Sequence, residues 1–464
     1  MKYGARCYGT RQWRKVFKLV GCFILGFLFH MGISDVLRPW ETSSDLATYE
    51  YDVDSLRTNQ RRDSYMYKVT DEIASQSHLP PEPKLGVRLK TTDETMKKRR
   101  EAVDATCRGA RNDSDYLDNP GPLISKDNQF LHCPVTKAAS TFWFRFLMTL
   151  DTKDSMKSPF TFPLSDNMGR KEQKFHLLRP EMKLGFLKQT TKNVFVRDPY
   201  NRMFSAFVDK AFAPNPYFWH IWGKPSIVKF RKNATAASRR CGHDVTFAEV
   251  MSYAAEKSAV GPWDIHFDSV DHLCQPCGFK YDVIGKMETF SDDLGYLAKH
   301  LNLSLTGYFT SDKFRYEYVK DAIEDTVNSP FRWMSKIRRC MSKYEAGLRI
   351  WRKLQIRGII DRNIQLPYNP ASFERVTAKQ LIESALSSYR QSTDREGLRR
   401  QKRDAFLEAY STVNMKALHK LKRVFEKDFQ MFGYDPEPAD VFHPVTVTST
   451  GAFQWDRPWG GSSV

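Results

Sequence analysis

The stretch NVFVRDPYNRMFSAFVDK, Asn193 to Lys210, decides how this chain folds. Asn193 to Val196 is a short apolar run suited to a buried strand. Asp198 and Pro199 then read as a helix start, because an Asp accepts from free backbone N–H groups and a Pro fits the first turn. Along the helix that follows, through Ala211, Arg202, Ser205 and Asp209 share one face, while Phe204, Phe207, Val208 and Ala211 form an apolar face. A strand that runs into a helix with Arg197 at the corner puts a guanidinium at the C-terminal edge of a sheet. Open α/β sheets bind their ligands there.

The same grammar recurs upstream. In QFLHCPVTKAASTFWFRFL, Gln129 to Leu147, a strand (Gln129 to Cys133) leads through a small-residue loop holding Lys137 into a helix over Ser140 to Leu150. Ser140 and Thr141 at a helix start, with a lysine and the helix dipole, make an anion site. No G-x-x-x-x-G-K-[ST] occurs, so an ordinary P-loop ATPase or GTPase is not indicated. A third strand, Tyr281 to Gly285, precedes a helix over Ser291 to Leu301. Alternating strands and helices from about 128 to 310 predict an α/β class with a central parallel sheet. Two anion sites, one per strand end, imply a ligand with two separated phosphate groups, which forked guanidinium donors suit. Residues 311 to about 435 read as mainly helical. Phe331 to Arg357 carries nine Lys or Arg against the single Glu345, either a solvated helix face or a polyanion-binding ridge.

The N-terminus adds an address. Residues 1 to 18 hold six cations and no acid, and Leu19 to Ile33 holds no charged residue. With Val16 and Phe17 this gives an apolar run near the lower limit for a membrane span, and the flanking cations keep the N-terminus cytoplasmic. The expected layout is a cytoplasmic tail (1–15), a transmembrane signal anchor (16–33), a polar stem (34–104), a globular body (105–435) and a C-terminal tail (436–464). Net charge is +18; removing the six N-terminal cations leaves +12 on the rest. Beyond a membrane that excess faces no nucleic acid and favours acidic glycans. Three sequons, at Asn112, Asn233 and Asn302, could carry N-glycans there. Six cysteines follow the anchor: Cys107, Cys133, Cys241, Cys274, Cys277 and Cys340. An even set in a secretory chain points to disulfides, while Cys274-Gln-Pro-Cys277 is also compatible with a zinc or redox pair.

The two strand–helix segments resemble the nucleotide-binding elements of Golgi carbohydrate sulfotransferases, in particular the branch of chondroitin and dermatan 4-O-sulfotransferases and the HNK-1 sulfotransferase. Thr136 to Arg145 is similar to that branch's PKVACTNWKR, and Phe195 to Phe212 to its FVREPFERLVSAFRDKF. Arg231 to Thr235, Leu273 to Asp293 and Lys427 to Tyr434 also have counterparts. Between them the chain has no counterpart over about 311–405, which reads as a helical insertion. The resemblance implies a three-layer, P-loop-like nucleotide-binding domain in a single-pass type II Golgi membrane protein with a lumenal catalytic domain. It implies transfer of sulfuryl from 3′-phosphoadenosine 5′-phosphosulfate (PAPS) to a hydroxyl of a chondroitin, dermatan or other GalNAc-containing glycan, without metal. Arg197 and Ser205 would hold the 3′-phosphate. Lys137, Ala138, Ala139, Ser140 and Thr141 would hold the 5′-phosphosulfate, with Lys137 also neutralising the leaving phosphate. His266 would be the general base, with His176 and Glu288 as alternates. The chain departs from the pattern at Thr136 (usually Pro), Phe142 (Asn) and Phe144 (Lys). These departures keep open a catalytically inactive glycan-binding relative. A lumenal glycan kinase is the other alternative, with Asp198 the only obvious carboxylate near the phosphates.

Overall fold

The apolar runs pair as strands in the computed structural model, which describes residues 91–109, 114–127, 129–152, 158–162, 174–305, 307–443, 450–457 and 459. The sheet has four strands in the order β1 (Leu123–Ser125), β2 (Phe130–Cys133), β3 (Thr191–Val196) and β4 (Val283–Lys286). β2, β3 and β4 are parallel, with Cys133 opposite Val194 and Val196 opposite Lys286. β1 is antiparallel to β2. The sheet is therefore mixed, not wholly parallel as the sequence suggested. A three-residue edge strand next to Pro122 is too short to show the alternation that marks a strand in sequence.

Alternation of side chains builds two cores. Phe130, Phe195 and Val283 face helices α2 (Ser140–Asp151) and α5 (Phe290–His300). Leu131, Val194, Val196 and Ile284 face the other way, toward Val103 of α1 (Asp93–Cys107) and Met431 and Phe432 of α9 (Glu426–Phe432). The result is helices on both faces of the sheet. Gly285 is required where it stands, because a Cβ there would meet the Phe195 ring at 2.3 Å.

The helix after β3 is shorter than expected. It runs as α3 (Pro199–Phe207), then widens into a π-helical turn over Val208–Phe212. Such turns are frequent at functional sites because they re-aim one side chain. α3 and this turn bury their apolar face in a large helical core with Phe247, Phe406 and Tyr410. Further elements are the short α4 (Ala236–Cys241), α6 (Asp312–Arg332), α7 (Lys343–Ile356) and α8 (Arg395–Ser411). α6 and α7 share a core of their own, through Ile323, Val327, Ile350 and Leu354. Ile356, Ala405 and Phe406 nevertheless pack into the core around α3, so this stretch is joined to the sheet domain.

Two boundaries differ from the sequence reading. α1 begins inside the stretch read as stem and runs across its expected end, and Arg99 on it pairs with the buried Asp293 at 2.8 Å. The C-terminal tail contributes Val441, Phe442, Ala452 and Trp459 to the core. Residues 16–33 and Asn112 lie outside the described residues; among those described, no helix is long and apolar enough to cross a membrane. All six cysteines after residue 100 are paired, as Cys107–Cys277, Cys133–Cys274 and Cys241–Cys340. Both cysteines of the C-x-x-C thus bind distant partners, and among the described residues no cluster of metal-ligating side chains is present.

Candidate active site

The loop between β2 and α2 is built to present backbone N–H groups. Lys137 and Ala139 both have left-handed φ, 65° and 61°. Each costs a non-glycine residue about 1–2 kcal/mol, and the Ala138 amide between them donates back to the Val135 carbonyl at 3.1 Å, which holds the turn. Ala139 is the residue before the helix, and no side chain caps α2. The expected capping by Ser140 or Thr141 is thus absent, which leaves first-turn N–H groups available to a ligand. The hydroxyls of Ser140, Thr141 and Ser205, all half-buried, have no hydrogen-bond partner among the described residues.

Arg197, at the end of β3, reaches this loop. Its Nη1 donates to the Lys137 carbonyl at 3.3 Å. Burial, offset chiefly by Glu288, lowers its pKa from the usual arginine value. Glu288 accepts from the Asp198 amide at 3.3 Å and from the Tyr434 hydroxyl at 2.9 Å. Lys286 does not pair with it; its ammonium donates to the Phe432 carbonyl. A cavity of about 260 Å³ is walled by Phe290, Phe309, Phe314, Tyr318 and Lys402, and two of these residues, Tyr318 and Lys402, lie close enough to Arg197 to interact with its charge. Part of Lys402 is open to solvent. The protein mass around its ammonium, then Arg197 and Arg357, still push its pKa down to about 8.

Of the residues sharing a face of α3, Arg202 turns inward. It is fully buried, donates to the Asp268 carbonyl and lies 5.4 Å from the Phe425 ring centre. Asp209, in the π-turn, is the junction of the site. Its Oδ2 lies 2.6 Å from the Lys137 ammonium and its Oδ1 2.6 Å from that of Lys353 on α7. Lys210 adds a third contact at 3.2 Å. Burial pushes the Asp209 carboxyl up, but the three lysines outweigh it and hold it well below the usual range. Burial, with smaller contributions from Lys210 and Lys353, lowers Lys137 to about 8 against the opposing pull of Asp209. Since Lys353 repels a proton from Lys137 and Asp209 attracts one, Lys353→Gln should raise the pH midpoint for acylation of Lys137 and Asp209→Asn should lower it. Mass-spectrometric labelling across pH measures both; unmoved midpoints would sink the coupling.

His266 stands on a loop tied to the same concavity. The Thr136 hydroxyl donates to the Ile265 carbonyl at 2.7 Å, so the residue that replaces the family's proline fastens the Lys137 loop to the His266 segment. His266 Nδ1 is 2.8 Å from Asp264 Oδ1, and Asp264 Oδ2 accepts from the Trp222 indole at 2.8 Å. A carboxylate only accepts, so Nδ1 carries the proton and Nε2 carries the lone pair. Burial lowers the His266 pKa, opposed by Asp264, with small further lowering from Lys210 and Lys137. His176 is elsewhere: its charged neighbours are Lys174, Lys183 and Asp118. Phe142 is buried in the core among Phe146, Phe160 and Phe309, where it backs the wall of the aromatic cavity.

Sequence reasoning missed Lys353, Asp264 and Lys402 as neighbours of the site. Only Asp264, two residues before His266, left a local trace.

The chain matches the model of the sulfotransferase family over residues 121–363, just over half of its length. Similar curated proteins include carbohydrate sulfotransferase 9 of Homo sapiens, 33% identical over 45% of this chain and 48% of the relative. Carbohydrate sulfotransferase 8 of Mus musculus is 27% identical over 58% and 66%, and carbohydrate sulfotransferase 11 of Rattus norvegicus 31% identical over 44% and 61%. The chain thus spans about half to two thirds of these relatives' own length. No solved structure matches. A strand-end arginine beside an uncapped, lysine-bearing helix entrance lies within the matched region, and the chain belongs to the sulfotransferase family, with its relatives among the carbohydrate sulfotransferases.

Proposed function

We propose that this protein transfers a sulfuryl group from PAPS to a hydroxyl of a glycan. The observation that carries the reading is the meeting of Lys137 and Arg197 at adjacent parallel strand ends, 3.3 Å from carbonyl to guanidinium, next to the uncapped start of α2. That donor set suits a ligand with two phosphate groups. Arg197 and Ser205 would take the 3′-phosphate. Lys137, the amide of Ala139, and Ser140 and Thr141 would take the 5′-phosphosulfate; the Ala138 amide instead donates to the Val135 carbonyl at 3.1 Å and so braces the loop. The aromatic cavity, whose Tyr318 and Lys402 interact with the Arg197 charge, would take the purine. His266 Nε2 would accept the proton of the attacking hydroxyl as its oxygen bonds to sulfur. The bond from sulfur to the bridging phosphate oxygen breaks, and Lys137 meets the charge left on that phosphate.

The acceptor is read as an acidic or GalNAc-containing chain, such as chondroitin or dermatan, on the net positive charge. Residues 16–33 are read as an anchor in the Golgi membrane with the body lumenal. Three disulfides suit an oxidising compartment, and Asn233 and Asn302 are exposed and open to N-glycosylation.

Transfer of labelled sulfate from PAPS to a panel of chondroitin, dermatan and GalNAc-terminated acceptors tests the reading; no transfer to any of them defeats it, and donor binding without transfer points to an inactive relative. In the same assay Arg197→Ala should raise KM for PAPS by roughly 10–100-fold, the worth of a hydrogen bond to a charged group, with a smaller change in kcat. An unchanged KM would remove Arg197 from the donor site.

A further inference from the structure

The chain carries a second cationic surface away from the Lys137 loop. α4 ends in Arg239, Arg240 and Cys241, and the disulfide from Cys241 to Cys340 fastens that end to a turn bearing Lys336, Arg338 and Arg339. Lys232 and Arg332 flank the two sides. All seven side chains are exposed. The carboxylates nearby are engaged. Asp244 and Glu249 hold Arg231 at 2.6 and 2.7 Å, Glu345 closes a capping box with Ser342, and Glu374 pairs with Arg338. Among the described residues no acid pairs with Lys232, Arg239, Arg240, Arg332 or Arg339. Trp333, half-buried, lies in the same turn with the Lys336 ammonium 4.8 Å from its ring centre.

An uncompensated group of cations costs stability by self-repulsion, and here a covalent link holds the two halves of the group together. α7 begins at Lys343, just past this turn, and carries Lys353 to Asp209 in the candidate active site. Ten residues of helix place the two regions about 15 Å apart along its axis. We propose that the Arg239–Arg240–Arg339 surface is an exosite that binds a stretch of an acidic polysaccharide remote from the sugar being modified. The choice of polysaccharide rests on the transferase reading above. The surface would confer preference for long, charged chains over short ones, and that preference would weaken with salt.

The test uses the 464-residue chain with Arg239→Glu, Arg240→Glu and Arg339→Glu combined, and the same positions as Gln should charge reversal prevent folding. Binding of fluorescently labelled chondroitin sulfate polymer, without donor, should weaken roughly tenfold, as expected for three exposed charge contacts, and its salt dependence should flatten. Transfer to a tetrasaccharide acceptor should stay at the wild-type level. Polymer binding unchanged in both variants overturns the proposal. So does binding to phosphatidylserine vesicles but not to the polymer, which would assign the surface to a membrane. Because binding is read without PAPS, a chain that binds polymer through these arginines but transfers nothing loses the proposed function and keeps the exosite.

Discussion

Lys137→Met should lower kcat by about 10²–10³-fold, the cost of removing one preorganised charge donor from a developing anion. The Lys137 ammonium is held 2.6 Å from Asp209 in a loop whose backbone is already left-handed at that residue. Removing one partner of a buried ion pair usually costs about 3–5 kcal/mol, because the other charge is left bare. Here it is not left bare: Lys353 at 2.6 Å and Lys210 at 3.2 Å still face Asp209. The variant should therefore fold, with a melting temperature near that of the wild type, and the loss should appear in the chemistry. Calorimetry with 3′,5′-ADP separates the roles further. The 3′-phosphate would rest on Arg197, so product affinity should fall far less than kcat. A variant with kcat within about threefold of wild type would overturn the assignment of Lys137 to the leaving phosphate.

The same cluster shows why some of the site could be read from the chain and some could not. Strand ends and helix starts are local events. Val194 to Val196 followed by Asp198 and Pro199 announces a corner, and Asp198 does cap α3 by accepting from the Asn201 amide at 2.8 Å. Lys137 and Arg197 follow from two such corners and from the parallel pairing of β2 with β3. Lys353 has no such signal. It sits in a run of basic residues and reaches Asp209 across 144 positions, and only the packing of α7 against the π-turn brings it there. The sequence pattern predicted a helix through Ala211. What it could not show is the switch to π geometry at Val208, which turns Asp209 toward the two lysines. Disulfide pairing is equally non-local. Six cysteines allow many pairings, and the C-x-x-C spacing hid the fact that Cys274 and Cys277 bind Cys133 and Cys107. The helical half likewise read as an addition, yet Arg349 donates to the Ala211 carbonyl at 3.2 Å and Phe406 meets the Phe204 ring edge-on, contacts that no local pattern records.

His266→Gln should lower kcat by about 10²–10⁴-fold, the usual worth of a positioned general base. Glutamine keeps a polar side chain against Phe218 and Trp222, whose rings meet the imidazole edge-on at 5.3 Å, so loss of packing is kept small. The pH profile distinguishes a base from a structural histidine. Burial lowers the His266 pKa below the ordinary imidazole value of 6.5, so Nε2 keeps its lone pair at neutral pH and picks up a proton only in more acidic solution. The acid limb of kcat/KM should therefore lie below pH 6.5, and His266→Gln should erase it. Asp264 stabilises the imidazolium, so Asp264→Asn should move that limb further down while lowering kcat, because the carboxylate that fixes the tautomer is gone. Burial pushes Asp264 up, but its bonds from His266 and Trp222 hold it below the usual carboxylate range, so its own protonation should not set the limb. A histidine that only buttressed the Thr136–Ile265 contact would behave otherwise. His266→Gln would then lose activity in step with its folded fraction, and the surviving activity would keep the wild-type acid limb. That result would return the search for the base to Glu288, which faces Arg197 from the end of β4 and is held there by the Asp198 amide and the Tyr434 hydroxyl.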